Sequence, residues 1–287
     1  MRYWRIAPDP RLSEHVLCYW MVEDVARESA PRFRHGEDLL LPDGYSEIVF
    51  NRGSAGFERW QLGAHAASEH MRGSYVIGGR SHSVGTRTSA PLRLAGVKLD
   101  PRFLREIIGM PLHEFRDSTV SLRDLGHAGL EKLEDRIAET SCAKTTAALL
   151  DGFFLSALRR AQGQATPADA LLRRINRDRG STPIMHWARD ASVDARSLER
   201  AFCAATGMTP KQYARVIRFK RAYHSLLAAT RRPLTSALDG FYDQSHFNRE
   251  FRHFTGVAPS VRLADSMHQT TNITDHLLQA DLGSDAH

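Results

Sequence analysis

One segment near the C-terminal end of this 287-residue chain is repeated, and the repeat limits what the chain can fold into. Arg200-Ala-Phe-Cys-Ala-Ala-Thr-Gly-Met-Thr-Pro210 and Arg249-Glu-Phe-Arg-His-Phe-Thr-Gly-Val-Ala-Pro259 place Arg, Phe, Thr, Gly and Pro at identical spacing. A matching period over eleven residues, with a matching turn in front of each copy, marks one supersecondary unit used twice. Each copy reads as a helix. Leu198, Phe202 and Ala205 fall on one face of the first, and Phe247 and Phe251 on one face of the second. Asp194 and Asp243 are suited to cap the two helices, and Gly207 and Gly256 to end them.

A short helix is expected before each copy. Thr182-Pro183 supplies a hydroxyl cap followed by proline, and predicts a helix over Pro183–Asp190 with Ile184, Trp187 and Ala188 facing inward. Leu234–Leu238 is the corresponding stretch before the second copy. Two short helices joined by a tight turn, the second carrying exposed polar residues, is the sequence form of a helix-turn-helix. Between the units, Lys211–Ala229 predicts a linker helix with Tyr213, Ile217, Ala222, Leu226 and Leu227 on its apolar face. Its 19 or so residues span about 28 Å at 1.5 Å each. Successive major-groove faces of DNA lie about 34 Å apart.

Charge separates this region from the rest. Thr166–Ala264 holds 17 Lys and Arg against 8 Asp and Glu, or +9, which leaves −3 for the remainder of a chain of net charge +6. A basic region of this kind is the electrostatic footprint of a partner rich in phosphate.

The N-terminal part has a different pattern. Leu17–Glu23, Leu39–Leu41, Glu47–Phe50, Tyr75–Ile77 and Leu92–Leu99 read as strands, with Pro42-Asp43-Gly44 as a turn. Short strands between Gly, Pro, Asn and Asp predict a sandwich or barrel. Helices follow from Pro101 to Gly109, near Leu130–Ile137 and over Thr145–Arg160. The expected fold class is therefore α+β: a β-rich sandwich or barrel-like domain with trailing helices at 1–163, and an all-α double helix-turn-helix at 166–264. A flexible tail is expected at 265–287.

The stretch from about Ala168 to Leu263 resembles the DNA-binding domain of the AraC/XylS transcription regulators. Leu198, Arg200, Phe202, Gly207, Pro210 and Tyr213 carry the resemblance in the first half. Arg218-Phe219, Ala222 and Leu226-Leu227 carry it in the linker. Gly240-Phe-Tyr-Asp-Gln-Ser-His-Phe247, Arg249, Phe251, Gly256 and Pro259 carry it in the second half. The resemblance implies a regulator that reads double-stranded promoter or operator DNA, with base-facing positions at Arg196, Glu199, Arg200, Gln244, Ser245, Asn248 and Arg249. It also implies an N-terminal domain that binds a small-molecule effector, forms a homodimer, or both, with RNA polymerase as a further partner. Pro42-Asp43-Gly44 with Ile48-Val49-Phe50, and Gly96-Val97-Lys98-Leu99 with Pro101, resemble the companion domain of some of these regulators. One spacing departs from the family. Ala188 stands four positions before Ser192, but Ala237 stands only three before Gly240. Since one residue turns a helix face by about 100°, a shortened or re-registered second scaffold helix is expected.

Other functions fare less well. His113-Glu114 begins a zinc-protease pattern but lacks its second histidine, and no G-x-S-x-G, Walker A or C-x-x-C stretch is present. The alternative is an N-terminal enzymatic or metal-binding domain fused to the DNA-binding module, and it rests on the scattered His35, His65, His70 and His82, or on Cys18 and Cys142. No catalytic activity, cofactor or metal is expected. The longest apolar run, Val16–Val22, is far too short to span a bilayer. No apolar segment follows Met1-Arg2-Tyr3-Trp4-Arg5, and the three cysteines are scattered, so a cytoplasmic location is expected.

Overall fold

A computed structural model describes residues 2–23, 37–54, 56–62, 68–88, 91–161, 165–228 and 240–260. Leu234–Leu238, Ala237, His35, His65 and the expected tail lie outside the described residues.

The run Val16–Val22 shows no alternation in sequence because both of its faces are buried. It forms most of β2 (Val16–Glu23), between β1 (Arg2–Ile6) and β9 (Arg93–Leu99). The sheet continues through β4 (Ser46–Asn51) and β7 (Tyr75–Ile77) to β10 (Thr119–Ser121). A second sheet has the order β3 (Glu37–Leu40), β8 (Val84–Thr88), β5 (Phe57–Gln61), β6 (Glu69–Met71). Every strand pairing among the described residues is antiparallel.

The pleat sorts side chains by parity. Tyr19, Met21, Ile48, Phe50, Ala95 and Val97 pack outward against α1 (Pro101–Ile108), α2 (Ala128–Ala138) and α3 (Ala143–Arg160). Trp20, Val22, Val49, Tyr75 and Leu94 pack the other way, onto Phe57 of the second sheet. Two tryptophans sit across from glycines, Trp20 beside Gly96 and Trp60 beside Gly85. A Cβ on either glycine would overlap the indole, so a small residue in mid-strand marks the close approach of a ring.

The inward face also carries charge. Lys98 is ion-paired with Asp43, lies 3.4 Å from Glu47, and Glu47 lies 3.7 Å from Arg80. All four residues are buried. Burial alone would push the Asp43 carboxyl up. Lys98, with Lys220 and Arg80, more than offsets this and holds the group below the usual carboxylate range.

The C-terminal helices are α4 (Pro167–Arg177), α5 (Ile184–Asp190), α6 (Ala195–Thr206), α7 (Pro210–Ala228) and α8 (Gln244–Thr255). Thr166 and Asp169 close a reciprocal capping box at the start of α4. The expected start of the next helix is corrected. Pro183 is the cap residue rather than the first helical residue of α5, and Thr182 does not cap it. The Thr182 hydroxyl instead donates to the Asp178 carboxylate at 2.9 Å, tying the α4–α5 connection together.

The two parts share contacts. Leu41 belongs to the same buried cluster as Leu172, Phe202, Tyr213 and Phe219. The turn that follows, Pro42-Asp43-Gly44, lies on α7. Gly44 has φ +83, and a Cβ there would stand 2.7 Å from Ile217 Cδ1 and 3.1 Å from Tyr213 Oη.

Replacing Asp43 with Asn leaves Lys98 short of a buried counter-charge and is expected to cost about 3–5 kcal/mol, read from the urea midpoint at pH 7. Because the Asp43 pKa is lowered on folding, its contribution is complete at neutral pH and drains away as pH falls below about 4. Asp43→Asn should therefore flatten the acid limb of a stability–pH curve. An unchanged acid limb would contradict the assignment.

Candidate nucleic-acid interface

Both recognition helices are built the same way. The Asp194 carboxylate accepts from the Ser197 amide at 2.8 Å, and the Asp243 carboxylate from the His246 amide at 2.6 Å. The bond from Ser197, first among the causes, holds the Asp194 pKa low. At the other end, Gly207 and Gly256 close the helices in the left-handed region, with φ +77 and +78. Leu198, Phe202 and Ala205 bury one face of α6, and Phe247, Phe251 and Phe254 one face of α8.

The linker helix α7 holds the two units. Phe202 meets Tyr213 edge-on at 5.7 Å, and Phe254 stacks on Phe219 at 4.3 Å. Tyr223 stacks on Phe251 at 6.0 Å. Arg215 pairs with Glu250 of α8 through two hydrogen bonds, and its guanidinium lies over the Phe254 ring. Arg218 donates to the Gly180 carbonyl at 2.6 Å.

The opposite faces are free of packing. Arg196, Glu199 and Arg200 on α6 are exposed, as are Gln244, Ser245, Asn248 and Arg249 on α8. Arg196 and Arg200 are four apart, so they project from one side. Glu199 has no ion-pair partner among the described residues, which leaves its carboxylate available. His246 acts within its own turn, where its Nδ1 accepts from the Tyr242 amide at 3.3 Å. Trp187 packs against the C-terminal core at its edge. Two apolar side chains are strongly exposed at helix entries: Tyr242, 94% exposed immediately before the α8 cap, which the sequence offers only as part of the Gly240–Phe247 motif, and Met185, 68% exposed at the start of α5. Their only signal would have been an apolar residue at a helix entry with no inward position to fill.

The two turns differ in one respect. The left-handed residue is Ser192, two before its cap, in the first unit, and Gly240, three before its cap, in the second. In sequence Ala188 precedes Asp194 by six positions, and Ala237 precedes Asp243 by six. The second scaffold helix, over which the shortening or re-registering is expected, lies outside the described residues.

Of the four histidines considered as metal ligands, His70 lies 3.8 Å from Glu58 and His82 3.3 Å from Asp117. Among the described residues no group of three or more His, Cys, Asp or Glu is arranged to hold a metal ion. No helix among them is long and apolar enough to cross a membrane.

The fold and this exposed pair of capped helices define a β-rich domain joined to a helix-turn-helix domain. Comparison with known proteins agrees. Residues 187–264 match a family described as a helix-turn-helix domain, and residues 4–121 a family described as a domain of unknown function (DUF6597). The HTH-type transcriptional regulator RipA of Corynebacterium diphtheriae is 31% identical over 87 residues, which are 30% of this chain and 26% of the relative. The chain thus spans about a quarter of the length of that curated relative. Among solved structures, ToxT from Vibrio cholerae O395 is similar with a TM-score of 0.44 at 11% identity, over 80% of this chain and 93% of that one. ToxT bound to (E)-4-(8-methylnaphthalen-1-yl)but-3-enoic acid gives 0.47 at 11%, over 81% and 96%. Residues 187–264 thus carry a helix-turn-helix domain, and the matched stretch of RipA is a regulator's.

Phe251 touches Phe219, Tyr223 and Phe247 at once. Phe251→Ala is expected to cost about 3–5 kcal/mol by leaving a cavity between α7 and α8, measured by chemical denaturation. A loss below about 1 kcal/mol would mean that the second unit is not held by this aromatic cluster.

Proposed function

We propose that this chain is a sequence-specific regulator of transcription that reads double-stranded DNA with α6 and α8 in successive major grooves. The observation that carries the reading is the repeated unit itself. Two helices with the same caps, the same buried phenylalanine and the same closing glycine present exposed polar faces from a region of charge +9. A helix fits the major groove, and its first turns reach base edges. Arg196 and Arg200 suit guanine O6 and N7, Glu199 the cytosine amino group, and Gln244 and Asn248 adenine. Ser245 and Arg249 complete the second face, with Arg249 at the repeat position of Arg200. The N-terminal domain, of charge −3 with the tail included, has no electrostatic reason to bind DNA. It supplies regulation, by binding a small-molecule effector, by pairing two chains, or by both.

Two outcomes are expected on DNA selected from a random pool by the full chain. The logarithm of the affinity falls linearly with the logarithm of salt concentration, because lysines and arginines release counterions from phosphate. Arg200→Ala and Arg249→Ala each relax base preference at their own half-site, by about 1–3 kcal/mol, since the two helices share their Asp caps and closing glycines. Competition binding against half-site variants reads this directly. Uniform weakening on all sequences by Arg249→Ala would assign that residue to phosphate instead. A flat salt response would defeat the reading altogether.

A further inference from the structure

The repeat has a second use, at the turns that close its two helices. The turn closing α6 and the turn closing α8 have the same internal bonding. Thr206 Oγ1 lies 2.9 Å from the Phe202 carbonyl and 3.0 Å from that of Met208, and accepts from the Met208 amide at 3.2 Å. Thr255 Oγ1 lies 2.9 Å from both the Phe251 and Val257 carbonyls, and accepts from the Val257 amide at 3.4 Å. Both threonines are buried, and what buries them includes the N-terminal domain.

One short segment of that domain meets both turns. Gly78-Gly79-Arg80-Ser81-His82-Ser83 joins β7 in one sheet to β8 in the other. At its start, Gly79 lies against the first turn, so close that a Cβ would overlap the Thr206 carbonyl oxygen. A Cβ on Gly207 would in turn stand 3.0 Å from the Leu112 carbonyl and 3.3 Å from the Gly79 amide. At its end, the Ser83 hydroxyl donates to the Phe254 carbonyl in the second turn. The Ser83 carbonyl accepts from the Leu62 amide at 3.1 Å, and a Cβ on Gly256 would lie 3.3 Å from the Leu62 side chain.

The dimensions agree. From Gly79 to Ser83 an extended chain reaches at most about 14 Å. The first turn leads straight into α7 at Pro210, and the second is stacked on α7 at Phe219. Nine helical residues cover about 13.5 Å.

The segment is also held from behind. Asp117, a non-glycine residue at φ +57, accepts from the Ser81 amide at 2.6 Å and the Ser81 hydroxyl at 2.8 Å. Its own amide donates to the Gly79 carbonyl at 3.1 Å. Arg80 turns the other way, to Glu47 on the inward face of the sheet, where Lys98 connects it to Asp43.

We infer that residues 78–83 are a brace that fixes the two reading heads relative to each other by gripping the Thr-Gly turn of each, and that Arg80 makes that spacing responsive to the charged interior of the N-terminal domain. The inference rests on the DNA-binding reading only for its consequence, since the brace itself is a matter of protein contacts. A change at the Glu47–Lys98–Asp43 cluster that moves Arg80 then moves both heads together, with no contact to DNA.

The test uses the full chain, with Ser83→Ala to remove one grip and Arg80→Met to cut the brace from the interior. Amide hydrogen exchange followed by mass spectrometry should show residues 254–257 of Ser83→Ala exchanging about ten-fold faster, with residues 206–208 unchanged. Arg80→Met should accelerate both turns. On DNA selected by the parent chain, adding about one base pair between half-sites should cost the parent roughly ten-fold in affinity and Ser83→Ala at most roughly three-fold. Unchanged exchange at 254–257 in Ser83→Ala overturns the brace. So does faster exchange with the parent's full dependence on half-site spacing. If the parent chain binds no DNA at all, the functional reading fails, and the exchange results alone decide the brace.

Discussion

Four buried charges in a row, Arg80, Glu47, Lys98 and Asp43, are the constraint around which the molecule is arranged. Each ion removed from water costs several kcal/mol, and a pair in the interior recovers this only with good geometry. Apolar residues of the same size would stabilise the sheets as well or better. What the charges impose is position. Arg80 must face Glu47, and Asp43 must face Lys98, or a charge is left buried and unpaired. Arg80 lies in the segment that touches both Thr-Gly turns, and Asp43 in the turn that lies on α7 through Gly44. The interior of the β-rich domain is thereby joined to three points of the helical domain: the end of α6, the middle of α7 and the end of α8.

The helical domain has its own internal logic. Its aromatic residues, Phe202, Tyr213, Phe219, Tyr223, Phe251 and Phe254, form one continuous cluster along α7. Large rings with few rotamers fix the angle of each recognition helix more firmly than aliphatic chains do. The closing turns of α6 and α8 meet the segment between β7 and β8, and the polar side of each recognition helix faces solvent. On the proposed reading, a fixed pair of polar helices on a basic domain is the complement of a duplex.

Much of this was legible in the sequence, where the determinants are local. Asp194 and Gly207 bracket α6, and Asp243 and Gly256 bracket α8, within twelve residues each. Pro101 and Gly109 bracket α1 in the same way. The strands fared unevenly. β2 and β9 are long and apolar, but β6 is only Glu-His-Met and β8 is Val-Gly-Thr-Arg-Thr. Such short strands owe their existence to neighbours paired across the sheet, not to their own composition. The α5 start is not legible in the sequence because Thr182 has a competing partner in Asp178, four residues back. Least legible was the brace. Gly79 and Ser83 are small residues in a connecting segment, and the partner of Ser83 lies 171 positions away. No spacing rule reaches that far.

The central claim is that one chain lays two equivalent helices into adjacent major grooves on one face of DNA. Hydroxyl-radical footprinting of the full chain on a selected duplex measures this most directly. The account predicts two protected windows per bound chain, centred about 10 base pairs apart on the same face. A single window per chain, or two windows on opposite faces, would contradict it.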